Sequence, residues 1–371
     1  VVGSLDAAVA GLSLPPGLRR LAIAVPDLTR PLDTVSVLAT LRRALGERAP
    51  AEITVVVGLG LHRPLTEAEL SRNHAACGWP VVNSTPDDTA DLGLVHGIPC
   101  QVAHPIAEAE MTLAIGVVEL HQYAGFSGGH KASAVGCGGR DTLAALHARA
   151  MVCDPEVQVG RVEGNPFREA VDALGEHNGT RLALLSLGDG RWTLGEPRAA
   201  LRVAAAAQDP WWTVPEPVSA CILRVPEAKA ANFYQASRAA TYLALSPSPP
   251  LVDGARIVLD ASCPDGAGDG DGERAFGSLM AMTAPPWQSL LTGPVPSGAG
   301  LQRAFMLARL AQRYHLIVAG CDQPEALQRL GVEATSSPAS AVAPGALTVN
   351  QPFTRLPQLR RSPPASGTAP G

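Results

Sequence analysis

Short apolar runs bounded by turn residues recur along the 371-residue chain: Leu21–Val25, Ile53–Val57, Met111–Val118, Leu182–Leu187, Ala220–Val225, Arg256–Asp260 and His315–Ala319. Several are continuously apolar instead of alternating, the pattern of strands covered on both faces. Stretches with helical spacing lie between them: Thr34–Leu45, Thr66–Asn73, Asp141–Met151, Pro166–Leu174, Asn232–Ala244 and Gln302–Arg313. This alternation predicts an α/β protein of two α/β domains with largely parallel sheets and a functional cleft between them. Asp209–Pro217 holds three prolines and no periodicity, and reads as a linker. The expected domains are therefore 1–213, completed by the helix near 302–314, and 218–358. The Gly/Asp-rich stretch Pro264–Glu273 and the Pro-rich stretch Pro285–Gly300 predict loops, and 360–371 a disordered tail.

Composition narrows the function classes. Hydrophobic residues make up 46% of the chain and mean hydropathy is +0.11, enough to build cores and to exclude wholesale disorder. The net charge of −5 and pI near 6.0 come without a basic stripe, so neither nucleic acid nor an anionic membrane is an expected partner. No apolar run approaches the roughly 18 residues of a membrane span. The seven cysteines are scattered and never form C-x-x-C, which argues against a zinc knuckle or a disulfide framework and for a reducing cytoplasm. The opening Val1-Val2-Gly3-Ser4 has neither a basic-then-apolar leader nor a Met, and reads as lacking the native start. Only two lysines occur, Lys131 and Lys229, in a chain otherwise rich in arginine.

The polar residues that look out of place follow the predicted strands. Asp27-Leu-Thr29-Arg30 comes after the first run, His62 after the second, and Glu119-Leu-His121 after the third. In open α/β sheets the ligand crevice lies outside the carboxyl ends of the strands, so these ends deliver Arg30, His62 and His121 to one side. Between His121 and His147 runs a segment with six glycines from 125 to 139, one of the two lysines, and Asp141 placed to cap a following helix. It fits neither the Walker nor the Rossmann phosphate pattern. A lysine suits covalent attachment, and neutral imidazole is a common nickel or zinc ligand.

Here the sequence resembles the nickel-pincer lactate racemase family. The motif H-x-x-A-G-F-S-G-G-x-K from His121 to Lys131, with His147 sixteen residues later, carries the resemblance most strongly. Asp-x-Thr-Arg-Pro at 27–31 and Gly-x-His-Arg-Pro at 60–64 add to it, with weaker echoes at Gly164-Asn165, Tyr234-Gln235-Ala236 and Asp265–Gly268. The resemblance implies a racemase or epimerase of lactate or a related, larger or dicarboxylic, 2-hydroxy acid. It implies a nickel-pincer nucleotide, a pyridinium-3-thioamide-5-thiocarboxylate mononucleotide, bound covalently to Lys131, with His147 as the protein ligand to nickel. Asp27, Thr29, Ser127, Gly128 and Gly129 would help hold it in the first domain. His62 and His121 would be alternating acid/bases in reversible hydride transfer, Arg30 would pair with the substrate carboxylate, and Gln235 and Arg238 would reach in from the second domain. Cofactor-biosynthesis and delivery proteins are implied as transient partners, and a homodimer is expected.

The chain also departs from that family. Arg238 stands where a lysine is usual, Gln302 where an aromatic residue is expected, His130 where an arginine precedes the cofactor lysine, and Val135 where proline is usual. These departures spare most of the cofactor segment and touch the substrate-facing residues, so the substrate need not be lactate. Two other readings stay open: a binding homologue without turnover, and an NAD-dependent oxidoreductase, which the absence of a Rossmann fingerprint disfavours.

Overall fold

A computed structural model describes residues 2–73, 77–283, 285–296, 298 and 300–360. The expected tail falls outside the described residues from 361 onward. The chain divides into two compact units, Val1–Gln208 and Asp209–Gly371. Both are α/β with mostly parallel sheets.

The first unit is built on a seven-stranded sheet. Its order is Val2–Gly3, Trp192–Gly195, Thr180–Ser186, Met111–Val117, Arg20–Pro26, Glu52–Gly58, Val81–Ser84. The five strands from Thr180–Ser186 to Val81–Ser84 run parallel, and the other two add an antiparallel edge. Strand Arg20–Pro26 shows how the sheet receives its layers. Leu21, Ile23 and Val25 face one side, where they meet Val37, Leu38, Leu41 and Leu45 of helix Thr34–Leu45 in a buried core. Asp33 caps that helix by accepting from the Ser36 amide at 3.1 Å, and Gly46 at φ 48° ends it. Ala22 and Ala24 face the other side, against Val102, Ile106, Cys137 and Ala132. These small side chains let backbone, not only side chains, approach the sheet there.

That approach is closest where strand Glu52–Gly58 ends. A Cβ at Gly58 would stand 2.9 Å from the Gly136 Cα, and the Gly60 amide donates to the Gly136 carbonyl at 2.8 Å. Only glycine fits such backbone-to-backbone contact.

The second unit holds an all-parallel five-stranded sheet in the order Glu333–Thr335, His315–Ala319, Leu251–Asp260, Val218–Arg224, Leu347–Val349. Helix Gln302–Ala311 packs within this unit, against helices Phe233–Ala244, Asp271–Ala281 and Ser289–Thr292. Among the described residues, no helix is long and apolar enough to cross a membrane.

Several local expectations are corrected. The linker segment contains a strand, Trp211–Val214, paired in parallel with Leu356–Leu359. The helix expected over Asp141–Met151 is two, Arg140–Leu146 and Arg149–Val152, with His147 at the break. Its cap is Gly139, while Asp141 lies in the first turn and accepts from the Gln101 side chain at 2.9 Å. The two stretches expected as loops contain helix starts, Asp271–Ala281 and Ser289–Thr292.

Candidate active site

Three adjacent parallel strands of the first unit end on the same side and deliver the polar residues expected from sequence. After Arg20–Pro26, the Asp27 carboxylate accepts from the Thr29 amide at 3.2 Å and from its hydroxyl at 2.6 Å. After Glu52–Gly58, His62 brings Nδ1 to within 2.6 Å of Asp27 Oδ2. Burial by itself would raise the Asp27 carboxyl, but the bonds from His62 and Thr29 outweigh it and hold the group below its ordinary 3.8. An ionised Asp27 places the His62 proton on Nδ1 and leaves Nε2 with the lone pair. The rest of the His62 ring is open, with a side chain 55% exposed.

His121, following Met111–Val117, is arranged in the opposite sense. It is buried, and its Nδ1 accepts from two backbone amides, Tyr123 at 3.3 Å and Ala124 at 3.1 Å. Two donors at Nδ1 place the ring proton on Nε2. Arg30 pairs through Nη1 with Glu119 at 3.5 Å, both side chains about three-quarters buried. Sequence reasoning placed Glu119 at the strand end but gave it no partner.

The glycine-rich segment is pinned, not loose. Arg168, fully buried in helix Pro166–His177, donates to the carbonyls of Ala124 at 3.3 Å, Phe126 at 2.7 Å and Gly128 at 3.4 Å, and pairs with Asp172 at 3.2 Å. Asn165 caps the same helix through the Arg168 amide at 3.2 Å, and its own amide reaches the Tyr123 carbonyl at 2.8 Å. Gly125, at φ 72°, passes so close to Arg161 that a Cβ would lie 1.9 Å from its carbonyl oxygen. Ser127 is buried, its hydroxyl donating to the Val117 carbonyl at 2.5 Å and accepting from the Glu119 amide at 3.0 Å. Gly128 and Gly129 take φ of 95° and 62°, which lets the chain turn into Lys131. Lys131 opens a single turn of π-helix, Ala132–Gly136, a local form often found at functional positions.

His147 stands where helix Arg140–Leu146 ends. Its Nδ1 donates to the Leu143 carbonyl at 2.8 Å, leaving Nε2 as the nitrogen with a lone pair. Burial, reinforced by the charge of Lys131, brings its pKa down to about 4 despite that bond, so the ring is neutral. Tyr123 and Phe167 wall it in, each with its ring centre 5.7 Å away, and both also contact the His121 ring. Sequence reasoning missed this aromatic wall.

In the second unit, Gln235 and Arg238 share helix Phe233–Ala244 and bond to each other, Arg238 Nη1 donating to Gln235 Oε1 at 3.2 Å. Gln302 reaches the Tyr234 hydroxyl at 3.5 Å.

Comparisons with known proteins fit this geometry. The chain is 31% identical over 164 residues to a lactate racemase from Lactiplantibacillus plantarum, and 25% identical over 162 residues to one from Thermoanaerobacterium thermosaccharolyticum. Each match covers 41% of this chain, and 38% and 37% of the relatives' lengths respectively, so it spans well under half of either relative. The fold extends further. The lactate racemase apoprotein structure from T. thermosaccharolyticum superposes with a TM-score of 0.82 over 96% of this chain and 92% of that one, at 18% identity. A crystal structure of a Thermotoga maritima protein gives 0.67 over 96% of both chains, at 15% identity. The family model of the lactate racemase N-terminal domain matches residues 13–160, the stretch that carries Asp27, Arg30, His62, His121, Lys131 and His147. Through those residues, this stretch of the chain is similar to the lactate racemase N-terminal domain.

Proposed function

We propose that the protein is an isomerase that inverts a small 2-hydroxy acid, lactate or a close relative, using a nickel-pincer nucleotide on Lys131. One observation carries the reading: a part-buried imidazole held neutral beside a lysine, its Nδ1 committed to a carbonyl and its Nε2 left with the lone pair. That is the donor a nickel ion requires, at the spacing from lysine that the family resemblance implies. The residues present therefore fit the group: Lys131 would carry it, His147 would ligate its metal, and the chain from 125 to 129 would frame it. When bound, the group supplies a hydride acceptor at the substrate carbon.

The chain's own residues divide the remaining work. Arg30 offers a planar guanidinium to the substrate carboxylate, sharing it with Glu119. His62 takes the hydroxyl proton at Nε2, because Asp27 keeps Nδ1 protonated and stabilises the imidazolium that results. His121 donates a hydrogen bond from Nε2 to the substrate oxygen. A proton arriving on Nδ1 of His121 would face two amide donors, so the ring must turn over before it can accept at Nε2. The expected pair of alternating bases thus becomes one base-ready and one donor-ready ring in this conformation. Hydride transfer, the substrate set beyond lactate, a cytoplasmic site, delivery proteins and a homodimer belong to this reading alone.

The test is co-expression with a cofactor-biosynthesis system, followed by intact mass, nickel content and a chiral assay across 2-hydroxy acids. A Lys131-dependent adduct, about one nickel per chain and inversion of at least one substrate are expected. Absence of adduct and nickel, in a system that loads a lactate racemase, would overturn the proposal.

A further inference from the structure

His130 precedes Lys131 and is completely buried. Its side chain packs against helix Pro166–His177, where a Cβ at Gly175 would fall 2.3 Å from the His130 Cβ and 2.6 Å from its Cδ2. Asp172, on the same helix, takes Nδ1 at 3.0 Å. Asp172 also pairs with Arg168 at 3.2 Å and Arg198 at 3.7 Å, and a carboxylate can only accept, so Nδ1 is the donor. Nε2 is then the atom with a lone pair, and it is buried without a hydrogen-bond partner among the described residues. An acceptor left so is costly, and native folds rarely leave one without a use.

The use is next to it. A ring nitrogen of His130 and carboxylate oxygens of Glu176 and Glu196 all lie within 4.8 Å of one another. With Nδ1 taken by Asp172, Nε2 is the nitrogen whose lone pair can bind a cation. Glu176 follows Gly175 in helix Pro166–His177, and Glu196 caps helix Pro197–Ala206 by accepting from the Arg198 and Ala199 amides. Both glutamates reach the surface, so small side-chain movements can draw their oxygens inward.

We propose that His130, Glu176 and Glu196 bind a divalent cation of the zinc and nickel class, separate from the Lys131–His147 pair. The carboxylate–imidazole–metal order, with Asp172 behind His130, is the arrangement that fixes a ligand's tautomer and raises its basicity. One imidazole and two carboxylates, with no thiolate, suit Zn2+, Ni2+ or Co2+ and not Mg2+ or Ca2+, and water completes the shell. Local charge agrees. Asp172, Glu176, Glu196 and the nearby Glu163 face three guanidiniums, Arg168, Arg198 and Arg202, leaving one negative charge in excess. Arg198 now pairs with Glu176 and has to swing aside, which a part-exposed side chain can do. A cation here ties the residue before Lys131 to two helices and fixes the turn that leads into Lys131.

The test uses the full chain without any nucleotide cofactor, stripped of metal and titrated with Zn2+ and with Co2+. The wild type should bind one equivalent that His130→Gln and Glu176→Gln each weaken at least tenfold, that His147→Ala retains, and that raises the melting temperature. The Co2+ form should show ligand-field bands without thiolate charge transfer. The proposal is overturned by a wild type that binds no equivalent, by a His130→Gln variant that binds as wild type does, by a thiolate band, or by loss of the equivalent in His147→Ala. Should His130→Gln fail to fold, Glu176→Gln and Glu196→Gln, both at the surface, decide between the same outcomes. The Lys131 adduct is read separately by mass, so this proposal and the racemase reading fail independently.

Discussion

His62 and His121 leave two parallel strands on the same side of one sheet, yet the fold prepares them for opposite tasks. His62 is open and leans on a carboxylate; His121 is buried and leans on two amides. A carboxylate can only accept, so it holds a proton on Nδ1 and frees Nε2 to take one. An amide can only donate, so it keeps Nδ1 bare and puts the proton on Nε2. The residue type is common to both; the atom behind the ring decides what the front of it does.

The largest expected effect tests that division directly. In the cofactor-loaded enzyme, His62→Gln should lower the inversion rate by roughly 10³–10⁴-fold, as loss of an oriented base does. His121→Gln, which retains a side-chain N–H donor, should cost about 10–10²-fold. Equal losses would mean that the two rings work symmetrically and that the His121 ring turns over during the reaction.

Next in size is the support beneath His121. Arg168→Ala removes a buried partner of Asp172 and a shared donor to three loop carbonyls, and should destabilise the first unit by about 3–5 kcal/mol in denaturant titrations. A loss under 1 kcal/mol would show that the loop holds its shape by other means.

A smaller effect comes from Asp27. Its folded pKa lies below the ordinary 3.8, so its contribution is complete above the unfolded value and disappears as pH falls through the folded one. The stability gap between wild type and Asp27→Asn should therefore stay flat from about pH 5 upward and close below about pH 3.8. A gap that persists at lower pH would assign the difference to packing instead of ionisation. The mildest probe perturbs nothing: ¹⁵N correlation spectra near neutral pH should show His62 protonated on Nδ1 and His121 on Nε2. The same tautomer on both would erase the comparison.

Much of the sheet was legible because its strands are covered on both faces and so read as unbroken apolar runs. The expected His315–Ala319 and Thr34–Leu45 agree with the structure at both ends. The short strands Trp211–Val214 and Leu356–Leu359 were not legible, since each exists only by pairing with a segment far along the chain. Two prolines, at 210 and 215, stand just outside the first of them and imitate a linker. In the candidate site, the strand ends that carry Arg30, His62 and His121 were legible, while protonation was not, because it depends on amides brought round by a turn. Arg168 and Asp172 did leave a signal. They sit four apart on the stripe that buries Phe167, Val171 and Leu174, where an ionic pair is out of place and therefore committed to something.

Arg168 lies 40 to 44 residues beyond the carbonyls it holds. During synthesis the lysine-bearing loop leaves the ribosome well before the helix that shapes it, and until that helix docks the loop lacks the side chain that gathers three of its carbonyls. The site is thus finished by a later part of the chain than the part that contains it. If Lys131 carries the group proposed above, its modification in the folded setting belongs after that docking, and an enzyme attaching the group would meet a completed domain and not a nascent strand.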